Sequence, residues 1–148
     1  MTDEAARMSG EFFQSGYYCA ESVLMAVAVH RGEHSDLIPR IATGFCGGMS
    51  RTNGTCGAVS GAIMSLGLAL GRNSADESVD KVYAATRELL DRFGRTFGST
   101  NCRQLLGCDL GTPEGQATYH ADNLRVKCRG YTEEATRIVL SILLQDRT

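Results

Sequence analysis

Apolar residues recur at intervals of three and four along nearly the whole chain, and the strict alternation of a half-buried strand is absent. With only two prolines, Pro39 and Pro113, in 148 residues, that periodicity restricts the chain to helices. A chain of this length is one domain by ordinary size, so residues 1–148 are expected to form a single unit that buries a core without covalent staples.

The pattern predicts a first helix over residues 3–14, with Ala5, Met8 and Phe12 on one face, ending before Gly16. A second runs from Tyr18 to His30, carries Cys19, Val23 and Val27 in one stripe, and stops at Gly32. Asp36 to Thr43 reads as a short helix with Pro39 in its first turn, where a missing N–H costs little. Residues 44–54 are rich in glycine and read as a loop, after which Thr55 is expected to cap a helix reaching Leu70. Further helices are predicted from Ser78 to Phe93, from Cys102 to Leu106 with Gly107 as its stop, from the Thr112-Pro113 cap to Asn123, and from Thr132 to Leu144. The expected fold class is all-α: a single-domain multi-helix bundle with a glycine-rich cysteine loop.

Charge excludes one class of function. The net charge is -2 and basic residues are scattered singly, so nothing marks a nucleic-acid surface. The longest apolar stretch, Ala58 to Leu70, is short and broken by Gly61 and Gly67, so no membrane insertion is expected. The acidic N-terminus has no apolar run behind it, and a cytoplasmic, reducing location is the expectation. In such a location clustered cysteines serve metal binding, catalysis or redox sensing more often than crosslinking.

The chain has six cysteines: Cys19, Cys46, Cys56, Cys102, Cys108 and Cys128. Cys56 falls at the predicted start of a helix, where free N–H groups and the positive dipole end favour a thiolate. Gly57 and Gly61 leave one face of that helix nearly bare, and Gly47 and Gly48 follow Cys46. Each is a place where a cofactor or another helix can approach the backbone. Cys46 and Cys56 are ten residues apart, which is no standard zinc or ferredoxin spacing, but a loop that folds back would bring the two sulfurs together. As a catalytic pair, Cys56 would attack and Cys46 resolve. Cys102 also opens a helix, Cys128 precedes the predicted last helix, and Cys19 lies on an apolar stripe where plain packing explains it equally well.

Other motifs are missing. There is no CxxC and no CxxCH, so no c-type haem motif, and no glycine-rich phosphate loop. His30 and His34 sit at a helix end and His120 on a polar helix, where solvation is explanation enough.

Cys46 with Gly47-Gly48, Cys56-Gly57-Ala58-Val59-Ser60-Gly61, Cys102 and Cys128 together resemble the C_GCAxxG_C_C family of redox-active proteins. The stretch from Gly16 to Leu24 and the run from Cys102 through Gly115 are similar to that family as well, and the likeness covers residues 8–144. The resemblance implies Cys46, Cys56, Cys102 and Cys128 as the signature set, with Cys19 a frequent fifth and Cys108 auxiliary. A related domain occurs in split-Soret-type cytochromes, which combine haem with an iron–sulfur centre. What the resemblance implies here is therefore an iron–sulfur cluster or other thiolate-bound metal on those four cysteines, used for electron transfer.

Three readings stand together. A cluster or metal needs about four converging thiolates, and the signature set supplies that count. A thiol–disulfide protein needs two close sulfurs, for which Cys56 and Cys46 are the candidates. A non-redox helical interaction module needs neither. The partner expected is a redox partner of unspecified kind, and the chain could form a homodimer.

Overall fold

A computed structural model describes residues 1–146. Its elements are eight α-helices and one 3-10 helix: α1 (Thr2–Gln14), α2 (Cys19–Arg31), a 3-10 helix (Arg40–Phe45), α3 (Cys46–Arg51), α4 (Gly57–Leu70), α5 (Asp80–Phe97), α6 (Cys102–Leu106), α7 (Pro113–Ala121) and α8 (Arg125–Asp146). Among the described residues there is no strand, only one isolated bridge between Thr55 and Asn101. The all-α expectation holds.

The long helix α8 is the axis of the bundle and packs on α1, α2, α4 and α5. Its buried face, Ala135, Ile138, Val139 and Ile142, shares one core with Val23 and Val27 of α2, Val59 and Leu66 of α4, and Leu89 and Phe93 of α5. Burying each such side chain stabilises the fold by about 1.5–3 kcal/mol. α2 and α4 approach at backbone distance, because a Cβ on Gly61 would stand 2.5 Å from the Ala20 carbonyl oxygen. The bare glycine face anticipated on this helix is thus filled by α2.

Several helix boundaries differ from the sequence expectation. α4 starts at Gly57 with Cys56 as its cap residue, because Thr55 is taken up in the bridge to Asn101. α5 continues past Phe93 to Phe97, whose ring stacks 4.8 Å from that of Phe93. α8 begins at Arg125, well before Thr132, so Cys128 lies in its first turn and Gly130 is carried inside the helix. Pro39 caps the 3-10 helix rather than sitting in its first turn, and that helix extends to Phe45. The Thr112 cap forms as expected, its side chain accepting from Gly115 N–H, and Asn101 caps α6 in the same way by accepting from Gln104 N–H.

The glycine-rich segment is not a plain loop. Gly47, Gly48, Met49 and Ser50 all have φ between 60 and 66°, a left-handed turn inside α3, and Arg51 continues it at φ 65°. Left-handed backbone costs a non-glycine residue about 1–2 kcal/mol, so three consecutive L-residues there are held by their surroundings. Ser50 Oγ donates to Gly44 O at 2.8 Å and Gly54 N–H to Gly48 O at 2.9 Å.

Candidate functional site

Five of the six cysteines meet at one end of the bundle. The backbone arranges this. Cys56 N–H donates to Thr100 O at 2.7 Å and Cys102 N–H to Gly54 O at 3.0 Å, so the segments before α4 and α6 are clamped side by side. Gly48 fits against α6 only because it lacks a side chain, since a Cβ there would lie 2.5 Å from Cys102 Cβ. Gly57 likewise gives its Cβ space to Cys19 Sγ, and that space lies 3.2 Å from Cys46 Cα. Gly48, Gly57 and Gly61 therefore bring the cysteine-bearing segments into contact with one another, and Gly47 contributes its backbone N–H to Cys19.

Cys19, Cys56, Cys102 and Cys128 line a common cavity with Gly47, Leu105, Leu106 and Tyr131. Its volume is about 30 Å³, roughly the share of one water molecule in the liquid. Tyr131 closes it, its hydroxyl donating to Leu105 O at 3.1 Å and its ring edge-on to Phe97. Cys46 stands on the far side of Cys19 and faces a separate surface groove. Cys108 is buried near Cys102 and Cys128 but does not line the cavity. All six thiols are free.

The charges are unevenly distributed over these sulfurs. Cys19 is pushed down to about 7, first by a hydrogen bond from the Cys46 thiol and then, against the cost of burial, by the N–H groups of Gly47 and Ala20 at the start of α2. Cys46 is correspondingly pushed up, by that same hydrogen bond and by burial. Its thiol also lies 3.7 Å from Ala42 O. With Cys19 ionised, its single proton prefers the charged sulfur over the neutral carbonyl.

Cys56 differs from the expectation of an activated helix-start thiol. The N–H groups of Ala58 and Val59 do reach it, but burial outweighs them and the neighbouring Cys19 charge adds to the effect, so Cys56 is pushed well up. Burial also raises Cys102 to about 11 and Cys128 to about 12, with Cys19 the next cause in each case. The Tyr119 hydroxyl donates to Cys128 and partly offsets that rise. The low-pKa thiol of the chain is Cys19, whose sequence signal was its place at the first helical position after the Gly16 break.

Whether these thiols hold a metal can be tested on their geometry. Among the described residues no three Cys, His, Asp or Glu side chains form a set that could hold a metal ion. Of the four signature cysteines, Cys56, Cys102 and Cys128 share the cavity while Cys46 does not, its place being taken by Cys19. A cavity this narrow takes an iron–sulfur cluster only if its walls move apart.

The fold and the site define an all-α protein with free thiols gathered at one end of its bundle. The chain belongs to the family described as "Putative redox-active protein (C_GCAxxG_C_C)", whose model matches residues 17–142. No curated protein and no solved structure matches the chain. Among the described residues no helix is long and apolar enough to cross a membrane.

Proposed function

We propose that the chain is a dithiol–disulfide redox protein whose reacting pair is Cys19 and Cys46. The observation that carries this reading is their side-chain contact, one sulfur held as a thiolate by backbone N–H groups and the other donating to it. Disulfide exchange requires a thiolate attacker with a pKa near ambient pH and a second thiol beside it. Cys46 keeps its role as one member of the pair, and Cys19 replaces Cys56 as the other. Oxidation removes two electrons and the one shared proton and leaves a Cys19–Cys46 bond; a redox partner of higher potential accepts the electrons, and a reductant restores the dithiol. A reducing compartment such as the cytoplasm would keep the pair in the dithiol form between turnovers.

The test is mass spectrometry of protein equilibrated in defined thiol–disulfide buffers. One reversible two-electron transition should appear, with its crosslink mapped to Cys19 and Cys46. Cys19→Ser and Cys46→Ser should each abolish it, and Cys108→Ser should leave it in place. A crosslink joining any other two cysteines would remove this assignment.

A second reading keeps a metal or iron–sulfur cluster, favoured by the shared cavity of Cys19, Cys56, Cys102 and Cys128. It requires the cavity walls to rearrange around the ion. Metal analysis and visible absorption of protein purified without oxygen decide it: stoichiometric iron or zinc lost in Cys56→Ser supports it, and metal-free protein that still cycles its disulfide rules it out.

A further inference from the structure

Cys46 opens outward onto a groove of about 300 Å³ lined by Tyr18, Thr43, Cys46, Gly47, Ser50 and Arg51. That volume lies at the lower end of what small-molecule sites enclose. Arg51 is the one charged residue of the lining. Its stem lies along Gly47, where a Cβ would stand 3.4 Å from Arg51 Cγ, so the guanidinium is carried on the same left-handed turn that follows Cys46. Among the described residues Arg51 enters no ion pair. The buried carboxylate nearby, Glu21, is already engaged, accepting from Tyr18 N–H at 3.0 Å and from the Thr43 hydroxyl at 2.8 Å. The groove therefore combines a thiol, one unpaired cation, two hydroxyl-bearing side chains and an aromatic ring that is more than half exposed.

We infer that this groove is the substrate site of the redox pair, and that its substrate is a small disulfide carrying a carboxylate, seated with the carboxylate on Arg51 and the sulfur–sulfur bond at Cys46. The inference rests on the Cys19–Cys46 assignment above and adds the substrate class. Planar guanidinium pairs with carboxylate through two parallel hydrogen bonds, which orients the ligand as well as attracting it. The Cys46 proton passes to the Cys19 thiolate it already hydrogen-bonds, and the Cys46 thiolate so formed bonds to one substrate sulfur as the other leaves and takes a proton from solvent. Cys19 Sγ then displaces the bound half, forming the Cys19–Cys46 disulfide, and its proton goes to the second thiol released. The two electrons of the pair pass to the two released thiols, so the substrate disulfide is the oxidant. Gly47 lines both the groove and the inner cavity, and so stands between the substrate and the three deeper cysteines.

The experiment compares oxidation of the reduced protein by three disulfides of similar size: dithiodipropionate, which carries two carboxylates, the neutral hydroxyethyl disulfide, and the cationic cystamine. Dithiodipropionate should react about tenfold faster than the other two at low salt, an advantage that shrinks as salt is added. Arg51→Gln should bring the dithiodipropionate rate down to that of the hydroxyethyl disulfide, while Arg51→Lys should keep part of the advantage. Equal rates for the three reagents, or an equal loss for all of them in Arg51→Gln, would overturn the carboxylate site while leaving the redox pair intact. Failure of every reagent to oxidise Cys19 and Cys46 would instead overturn the redox reading. Calorimetry with adipate, a dicarboxylate without sulfur, then judges the groove separately: binding lost in Arg51→Gln supports the site, and no binding to the parent protein refutes it.

Discussion

Cys19 Sγ occupies the space that a Cβ on Gly57 would need, so this sulfur is seated directly on the backbone of the first turn of α4. The same space lies 3.1 Å from Phe45 O and 3.2 Å from Cys46 Cα. One missing side chain thus lets Cys19 Sγ lie against the backbone that carries Cys46.

Gly57→Ala should therefore destabilise the protein by about 1–3 kcal/mol through overpacking and separate Cys19 from Cys46. Gly67→Ala, on the exposed side of the same helix with nothing within 4 Å of its Cβ position, should stabilise it by about 0.5–1 kcal/mol. Urea denaturation midpoints of the two variants check the contrast.

One thiolate should titrate near neutral pH. Ultraviolet thiolate absorbance of the reduced protein should rise in a single-sulfur step around pH 7, because Cys19 is lowered to about 7. Cys19→Ser should remove that step. Cys46→Ala should move it upward, since the Cys46 thiol is the largest cause of the lowering. The step belongs to the coupled pair, and its loss in Cys19→Ser together with its upward move in Cys46→Ala is the signature of that coupling.

Stability should follow the same charges with opposite signs in two windows. Between pH 7 and roughly 8.5, the ordinary thiol value, folded Cys19 has lost a proton that the unfolded chain still holds, so stability rises with pH. Above that range the unfolded chain ionises all its cysteines, while burial keeps Cys56, Cys102 and Cys128 protonated in the fold. The folded state then binds more protons and stability falls. Denaturation of the reduced protein from pH 6 to pH 11 should show a maximum near the ordinary thiol pKa; a monotonic rise across that range would contradict the buried-thiol assignments.

The left-handed turn should respond to glycine. Met49→Gly, at φ 62° and a partly exposed position, should be neutral or stabilising by up to about 1 kcal/mol, as strain and lost packing oppose each other. Gly48→Ala should be clearly destabilising, because φ 66° and the 2.5 Å approach to Cys102 Cβ act together. Thermal unfolding of the pair measures both.

How much of this could be read from residues alone depends on range. The helices followed from local apolar periodicity and the Thr112-Pro113 and Gly107 signals, which are short-range and strong. The start of α8 was missed because Arg125 to Arg129 is polar and Gly130 looks like a break; tertiary contact with α1 carries the helix through. The family resemblance grouped Cys46, Cys56, Cys102 and Cys128, whereas the cavity gathers Cys56, Cys102 and Cys128 with Cys19. The division between an inner cavity and an outer groove was not legible, because it depends on which side of Cys19 each sulfur falls. The sign of the Cys56 shift was also illegible, since a helix start is visible in sequence and depth of burial is not.

The placement of Cys128 in the opening turn of α8 has a consequence for how the cysteine end can breathe. α8 is anchored on four other helices, so the wall it provides should exchange its amide hydrogens only with global unfolding. The opposite wall, residues 44–54, rests on the strained turn and a few hydrogen bonds, and should open locally at far lower free energy. Traffic to the inner thiols, whether of reagent, ion or water, would then enter from the glycine side alone. The molecule has a fixed floor and a hinged door, and amide exchange should be fast at Met49 and Ser50 and slow at Thr132 and Thr136.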